Sequence, residues 1–194
     1  SGLGSLSGPR RPESADMGGE KGENGKKGKD KGKGKKGDGE EGEEVPEQSA
    51  ASVALHAAAR GGDAAKLEEL LADVEAAKED INSPDQHRRT PLHLACFFGH
   101  PALAEKLIDC GADPNIQAMD GFLPLHFAAQ QGQLEAVKVL IRKIGAAGKF
   151  GAVRTHVNRV VRKGKRSSLH LAVQKGHAEV ARFLAMKGAS TELK

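Results

Sequence analysis

A Leu-His pair followed six residues later by glycine occurs four times in this chain. The copies fall at His56, His93, His126 and His170, with Gly62, Gly99, Gly132 and Gly176. The histidines stand 37, 33 and 44 residues apart. The second copy is the fullest, DQHRRTPLHLACFFGHPALAEKLIDCGADPNIQ over 85–117. Thr90 can cap a helix with its hydroxyl, and Pro91 suits the first helical position because no N–H is needed there. Gly99 stops that helix. A second is expected from Pro101 to about Cys110, with Leu103, Leu107 and Ile108 at helical spacing and Gly111 as a left-handed cap. Two helices this short cannot bury their apolar faces on each other alone, so each unit needs neighbours, and the repetition supplies them.

A period near 33 carrying Thr90-Pro91-Leu92-His93-x-Ala95 resembles the ankyrin-repeat family. The resemblance covers about residues 50–194. It implies a mainly α fold: a solenoid of four helix-turn-helix repeats with short β-hairpin or loop tips. The expected repeats are about 50–84, 85–117, 118–156 and 157–194. It also implies that the Thr and His of the motif tie neighbouring repeats by hydrogen bonds, fully at Thr90–His93 and less completely at Leu125–His126 and Leu169–His170. Val53-Ala54 and Ser167-Ser168 replace Thr-Pro in the first and fourth copies, a departure that suits outermost repeats.

Residues 1–49 read as a disordered Gly/Lys/Glu-rich tail. From Gly18 to Glu44 no apolar residue occurs, so nothing offsets the entropy of ordering. Lys26–Lys36 is a basic block and Asp38–Glu44 an acidic one. Such blocks serve as a solvated linker, an electrostatic arm or a nuclear-import signal. The glycines form no phosphate loop, because no G-x-x-x-x-G-K-[ST] is present.

Within the array the second helix of repeat one is expected over Ala64–Lys78, with Leu67, Leu70, Leu71 and Val74 on one face. Asn82 and Asn115 each stand eleven residues before the next motif histidine, so both connections are in register. Repeat three has its second helix over Leu134–Lys143. The long last step then requires about eleven extra residues, placed in an inserted basic loop at about 145–156. Gly145, Gly148 and Gly151 favour a loop there, partly ordered in its second half, while Val153, Val157 and Val160 could share one face of a short helix.

Aromatic content is 3%, with neither Trp nor Tyr, so Leu and small residues must build the core. Cys96 and Cys110 lack a paired spacing and read as free thiols of a reducing compartment. No apolar run approaches the ~20 residues of a membrane span. The expectation is a soluble monomer, cytoplasmic and/or nuclear. Charge is polarised: residues 51–135 hold 6 Lys/Arg and 13 Asp/Glu, whereas residues 136–194 hold 14 and 2.

Eight histidines raise the question of a metal. The four motif histidines sit one per repeat, about ~10 Å apart if helices pack at usual distances, too far for one tetrahedral ion. No nucleophile elbow or marked carboxylate pair appears. No catalysis, metal, cofactor or small-molecule ligand is expected. By resemblance, hairpin tips and first helices form a concave binding surface. It maps to Gln86, His87, Arg89, Phe97 and Phe98 in repeat two; to Met119, Asp120, Phe122, Gln130 and Gln131 in repeat three; and to Lys163, Gly164, Arg166, Gln174 and Lys175 in repeat four. Exposed aromatics beside Arg are what binding hot spots are made of, although Phe97 could instead tuck between helices. Between Glu135 and Glu179 no acidic residue occurs, and Arg142, Lys143, Lys149, Arg154, Arg159, Arg162, Lys163, Lys165 and Arg166 lie in or beside the insertion. A one-sign block is often only a solvated face; one of this size points to an anionic partner. A protein with an acidic surface is the first expectation. The alternative is an RNA-containing particle bound through 142–166, although Phe150 is the sole interleaved aromatic for stacking.

Overall fold

The computed structural model describes residues 49–72, 78–148 and 151–191. Residues 1–48 of the expected tail over 1–49, together with Val74, Lys149 and Phe150, lie outside the described residues, and Ser49 belongs to the start of α1 as its N-cap.

Among the described residues nine α-helices follow one another: α1 (Ala50–Gly61), α2 (Ala64–Leu70), α3 (Pro91–Phe98), α4 (Pro101–Asp109), α5 (Pro124–Gln130), α6 (Leu134–Ala147), α7 (Ala152–Val157), α8 (Ser168–Gln174) and α9 (Ala178–Met186). First helices pack in one row, α1 on α3 on α5 on α8, and second helices in another, α2 on α4 on α6 on α9. Helix α7 is the extra element and packs on α6. No regular strand occurs among the described residues; the fourth tip holds a single antiparallel bridge, Val160 to Ser167.

Helix starts follow the expected chemistry. The Ser49 hydroxyl accepts the Ser52 N–H at 2.9 Å, and Pro91, Pro101 and Pro124 occupy first-turn positions where a missing N–H costs nothing. The motif glycine has a steric reason. Gly62 has φ +78°, and a Cβ there would lie 2.6 Å from the His100 ring of the next repeat.

The core runs unbroken from Leu55 through Leu67, Leu92, Leu107, Leu125, Leu140 and Val180 to Leu184, all buried. Cys96 is buried and Cys110 half-buried, both free, and burial pushes the Cys96 thiol up. Charged side chains clamp the second helices from outside. Lys106 pairs with Glu68. Arg142 reaches Glu105 at 2.7 Å, and Lys143 reaches Asp109 at 2.6 Å and Glu105 at 3.1 Å.

Two lengths differ from expectation. Helix α2 ends at Leu70, with Leu71 as its C-cap, eight residues before the expected Lys78; residues 73–77 lie outside the described set. Helix α6 continues past Lys143 through Gly145 to Ala147. Gly145 acts there by close approach instead of by breaking the helix, since a Cβ on it would stand 3.3 Å from Val153 of α7. Val157, the last residue of α7, is buried, while Val160 has left the helix for the fourth tip and is 41% exposed.

Candidate functional site

Four imidazoles set the geometry on which everything at the tips depends. His93 accepts the Thr90 N–H on Nδ1 at 3.0 Å and donates from Nε2 to the Phe122 carbonyl at 3.2 Å. His126 repeats this with the Leu123 N–H at 3.0 Å and the Arg159 carbonyl at 2.9 Å. The Nε2 atoms of His56 and His170 meet the carbonyls of Arg89 and Thr191 at 2.9 and 3.1 Å. His93 and His126 thus pin their own helix starts and the tip of the following repeat; His56 reaches the next tip through Arg89 but meets the Ser52 carbonyl within its own helix, and His170 holds the segment that follows α9. Burial pushes the His93 and His126 imidazoles down to about 4 from an ordinary 6.5, so both are neutral at pH 7.

A second seam, not anticipated from sequence, runs beside the first. His100 donates to the Arg60 carbonyl at 3.3 Å and His177 to the Gln130 carbonyl at 3.1 Å. Its signal was available: His100, Gln133 and His177 each follow a motif glycine.

The tips are tied to one another in order. The Met119 N–H donates to the His87 carbonyl at 3.3 Å, and the Arg162 N–H to the Asp120 carbonyl at 2.7 Å. On this row lie Gln86, His87, Met119, Asp120 and Lys163 of the residues that resemblance assigns to binding, while Phe98, Gln130, Gln131, Gln174 and Lys175 stand at the far ends of the first helices. Phe98 is 43% and Met119 52% exposed; Gln86, His87, Asp120, Gln131, Lys163, Gln174 and Lys175 are exposed as well, and Gln130 is half-buried. The Phe97 ring stands edge-on to Phe98 at 5.0 Å and to Phe127 at 5.9 Å, and Phe122 lies 5.2 Å from Phe127. Four aromatic rings therefore form one cluster linking α3, α5 and the third tip. Phe127 carries no distinguishing signal in the sequence, because its position matches the buried Leu94 and Leu171 of the neighbouring repeats. Val53, 51% exposed, extends the apolar row into repeat one. It stands beside a cleft of about 510 Å³ lined also by Arg60, Gln86 and Arg89.

The cations divide into two groups. Arg89 is committed to Asp85, at 2.7 Å to one carboxylate oxygen, and the other oxygen caps the His87 and Arg89 N–H groups at 2.8 Å each. Burial works to raise the Asp85 carboxyl, but the Arg89 guanidinium and these N–H groups outweigh it and hold it below the usual range. Arg142 and Lys143 serve the clamp on α4. Arg166 is held by Gln174 at 2.7 Å. In contrast, Arg154, Arg159, Arg162, Lys163 and Lys165 are exposed and join no ion pair among the described residues. Lys149 lies outside them.

The insertion leaves its own mark on the opposite edge. Asn82 bridges repeats by donating to the Gly111 carbonyl at 3.1 Å and accepting the Asp113 N–H at 2.9 Å. Asn158 does the same with Gly188 and Ser190 at 2.9 and 2.7 Å. Among the described residues Asn115 holds only Asp113, within its own turn, and α6 runs on through the place where a partner turn would stand. A half-open cleft of about 570 Å³ occupies this gap, lined by Ile108, Ile144, Ala147, Ala152 and His156 among others. His156 is 4% exposed, and burial pushes it down to about 4. No group of three or more His, Cys, Asp or Glu placed to hold a metal ion occurs among the described residues, and no helix among them is long and apolar enough to cross a membrane.

Paired helices in two rows, tied by one histidine per unit, define a repeat solenoid of short helical hairpins. The chain belongs to the ankyrin-repeat family: the family described as Ankyrin repeats (3 copies) matches residues 42–118 and 98–194. It is similar to NF-kappa-B inhibitor alpha of Sus scrofa, 30% identical over 138 residues, covering 70% of this chain and 41% of that protein. The Homo sapiens protein of the same name is 29% identical over 138 residues, with the same coverage. Transient receptor potential cation channel subfamily A member 1 of Homo sapiens is 30% identical over 112 residues, or 58% of this chain and 9% of that one. The chain thus spans less than half the length of these relatives.

Proposed function

We propose that this chain is a non-catalytic scaffold or adaptor module, monomeric and cytoplasmic or nuclear, that holds a protein partner with an acidic surface. The division into a tail over 1–49 and an array over 50–194 is part of this reading. The partner lies along the tips and first helices of repeats two to four and reaches the basic C-terminal half. One observation carries this. A row of tips joined by backbone hydrogen bonds carries the exposed Met119 and the exposed cations Arg162, Lys163 and Lys165, and the aromatic cluster that joins the third tip through Phe122 ends in the exposed Phe98 on α3. Apolar anchors ringed by charge are the composition of a protein-binding hot spot. Similarity to proteins named NF-kappa-B inhibitor alpha supports the same class of role.

The second reading is attachment to an RNA-containing particle through 142–166, favoured by the same unpaired cations. Salt separates the two. Six or so phosphate contacts would weaken RNA binding by ~10³-fold or more between 50 and 200 mM salt. A protein partner anchored on Phe98 and Met119 should show a modest salt effect, mainly in its association rate. The test measures the affinity of the chain for single-stranded and duplex RNA at both salt concentrations, with and without Ser at Arg162, Lys163 and Lys165. Weak RNA binding supports the protein reading. Micromolar binding at physiological salt that disappears in the triple variant overturns it.

A further inference from the structure

The edge opposite the tips carries the same joint three times, twice filled and once open. In each filled joint an asparagine grips the turn that follows a second helix. Asn82 donates to the Gly111 carbonyl at 3.1 Å and accepts the Asp113 N–H at 2.9 Å. Asn158 does so with Gly188 at 2.9 Å and Ser190 at 2.7 Å. Both gripped turns open on a left-handed glycine, with φ +103° at Gly111 and +87° at Gly188. In both, alanine follows, and the N–H that is accepted comes two residues after the glycine. At the third joint Asn115 Nδ2 turns back to Asp113 Oδ1 at 2.9 Å, and no group beyond its own turn meets it among the described residues.

Asn115 lines the half-open cleft of about 570 Å³, a volume within the range of built binding clefts. Ile108 and Ile144 give the cleft an apolar wall. His156 lines it too; it is 4% exposed, and its Nε2 has no hydrogen-bond partner. A buried polar atom left unpaired is costly, and a polar occupant would recover that cost. Three charged groups line the cleft. Asp113 Oδ1 already accepts both N–H groups of Asn115, and Lys143 is held by Asp109 and Glu105. Arg159 is exposed and joins no ion pair among the described residues. We infer that this cleft is a second docking surface and that it takes a tight turn of a protein partner. The filled joints supply the chemistry of that turn. A left-handed glycine or asparagine offers its carbonyl to Asn115 Nδ2, and an N–H two residues on reaches Oδ1. An apolar side chain covers Ile108 and Ile144, and one carboxylate meets Arg159. A nucleic-acid backbone fits less well, because it has no such N–H and the isoleucine wall offers nothing to phosphate. The cleft lies away from the tips, so it stands independently of the reading proposed for them.

The test is selection by the full chain from a displayed library of short disulfide-closed peptides, followed by affinity measurements on variants. The wild type should enrich Gly or Asn at the turn together with an apolar residue and one Asp or Glu. Asn115→Ala should weaken a selected peptide about tenfold, the size expected for two hydrogen bonds. Arg159→Ser should weaken it about threefold, as loss of an exposed ion pair would. Ala147→Trp fills the cleft from an exposed position on α6 and should abolish binding with the far-ultraviolet circular dichroism unchanged. In nitrogen-15 spectra the Asn115 side-chain amide should shift as the peptide saturates the chain, and Phe98→Ala should bind as the wild type does. Full affinity in Asn115→Ala or in Ala147→Trp, or a library that yields no peptide, overturns the inference. Binding lost in Phe98→Ala places the peptide on the tips and first helices, which overturns the inference and leaves the tip reading standing. Affinity that rises about tenfold in Phe150→Ala makes this chain's own Phe150 the occupant and overturns it as well.

Discussion

Lowering the pH from 7 to 5 should weaken this fold well before its carboxylates titrate. The reason lies in His93 and His126. Each Nδ1 accepts a backbone N–H at 3.0 Å, so a second proton there would set donor against donor inside a dry seam. Burial accordingly holds both rings near 4 in the folded state, against 6.5 unfolded. Between those values the unfolded chain binds more protons than the folded one, so stability rises with pH and is lost as pH falls from 6.5 towards 4. At pH 5 the loss relative to pH 7 is about 2 kcal/mol per histidine, or about 4 kcal/mol for the pair. His156, also pushed down by burial, acts in the same direction. With a urea m-value of about 2 kcal/mol per M, the midpoint should fall by about 2 M. Urea titrations followed by far-ultraviolet circular dichroism at pH 7 and 5 measure this directly. In His93→Asn the midpoint is lower at pH 7, but the further drop to pH 5 should shrink by roughly a third to a half. A midpoint that is unchanged or higher at pH 5 refutes the neutral-imidazole seam.

Other perturbations have equally definite outcomes. Leu107→Ala opens a cavity at a fully buried site in the middle of the second-helix row and should cost about 2–5 kcal/mol in the same titration. Asn82→Ala removes two hydrogen bonds between repeats and should cost about 1–2 kcal/mol, whereas Asn115→Ala loses only contacts within its own turn and should cost less than half of that. Burial raises the Cys96 thiol, so an aromatic disulfide reagent should modify the half-buried Cys110 first and reach Cys96 only on unfolding.

The repeat pattern was legible because its markers have local causes. Pro91 fits a first turn, a left-handed glycine ends a helix, and one histidine per unit keeps the phase. The insertion was read less well. Gly145 breaks helices on average, but here Val153 of α7 packs close to it and Ile144 is buried, so α6 continues. Cation roles were hidden for another reason. Arg142 and Lys143 look like part of a free basic block until Glu105 and Asp109, more than thirty residues earlier, come to lie opposite them. Arg89 likewise reads as a binding residue until its hairpin brings Asp85 against it. Local sequence gives no sign of the first pairing, because Arg142 and Lys143 meet Glu105 and Asp109 only through stacking, whereas Arg89 and Asp85 are four residues apart and meet within one turn. Phe127 is hidden as well, since it completes the aromatic cluster from a position that elsewhere in the array is simply core.

The central claim is that the tips and first helices bind protein through exposed apolar anchors. Phe98→Ala with Met119→Ala tests it most directly, since both side chains are substantially exposed and their removal should leave the melting temperature within about 2 °C. Proteins captured from nuclease-treated lysate by the wild type and by this variant are to be compared by quantitative mass spectrometry. At least one protein should survive nuclease and be depleted about 25-fold with the variant, as loss of two hot-spot contacts of about 1 kcal/mol each would give. Equal capture by a folded variant, or capture abolished by nuclease alone, would contradict the central claim.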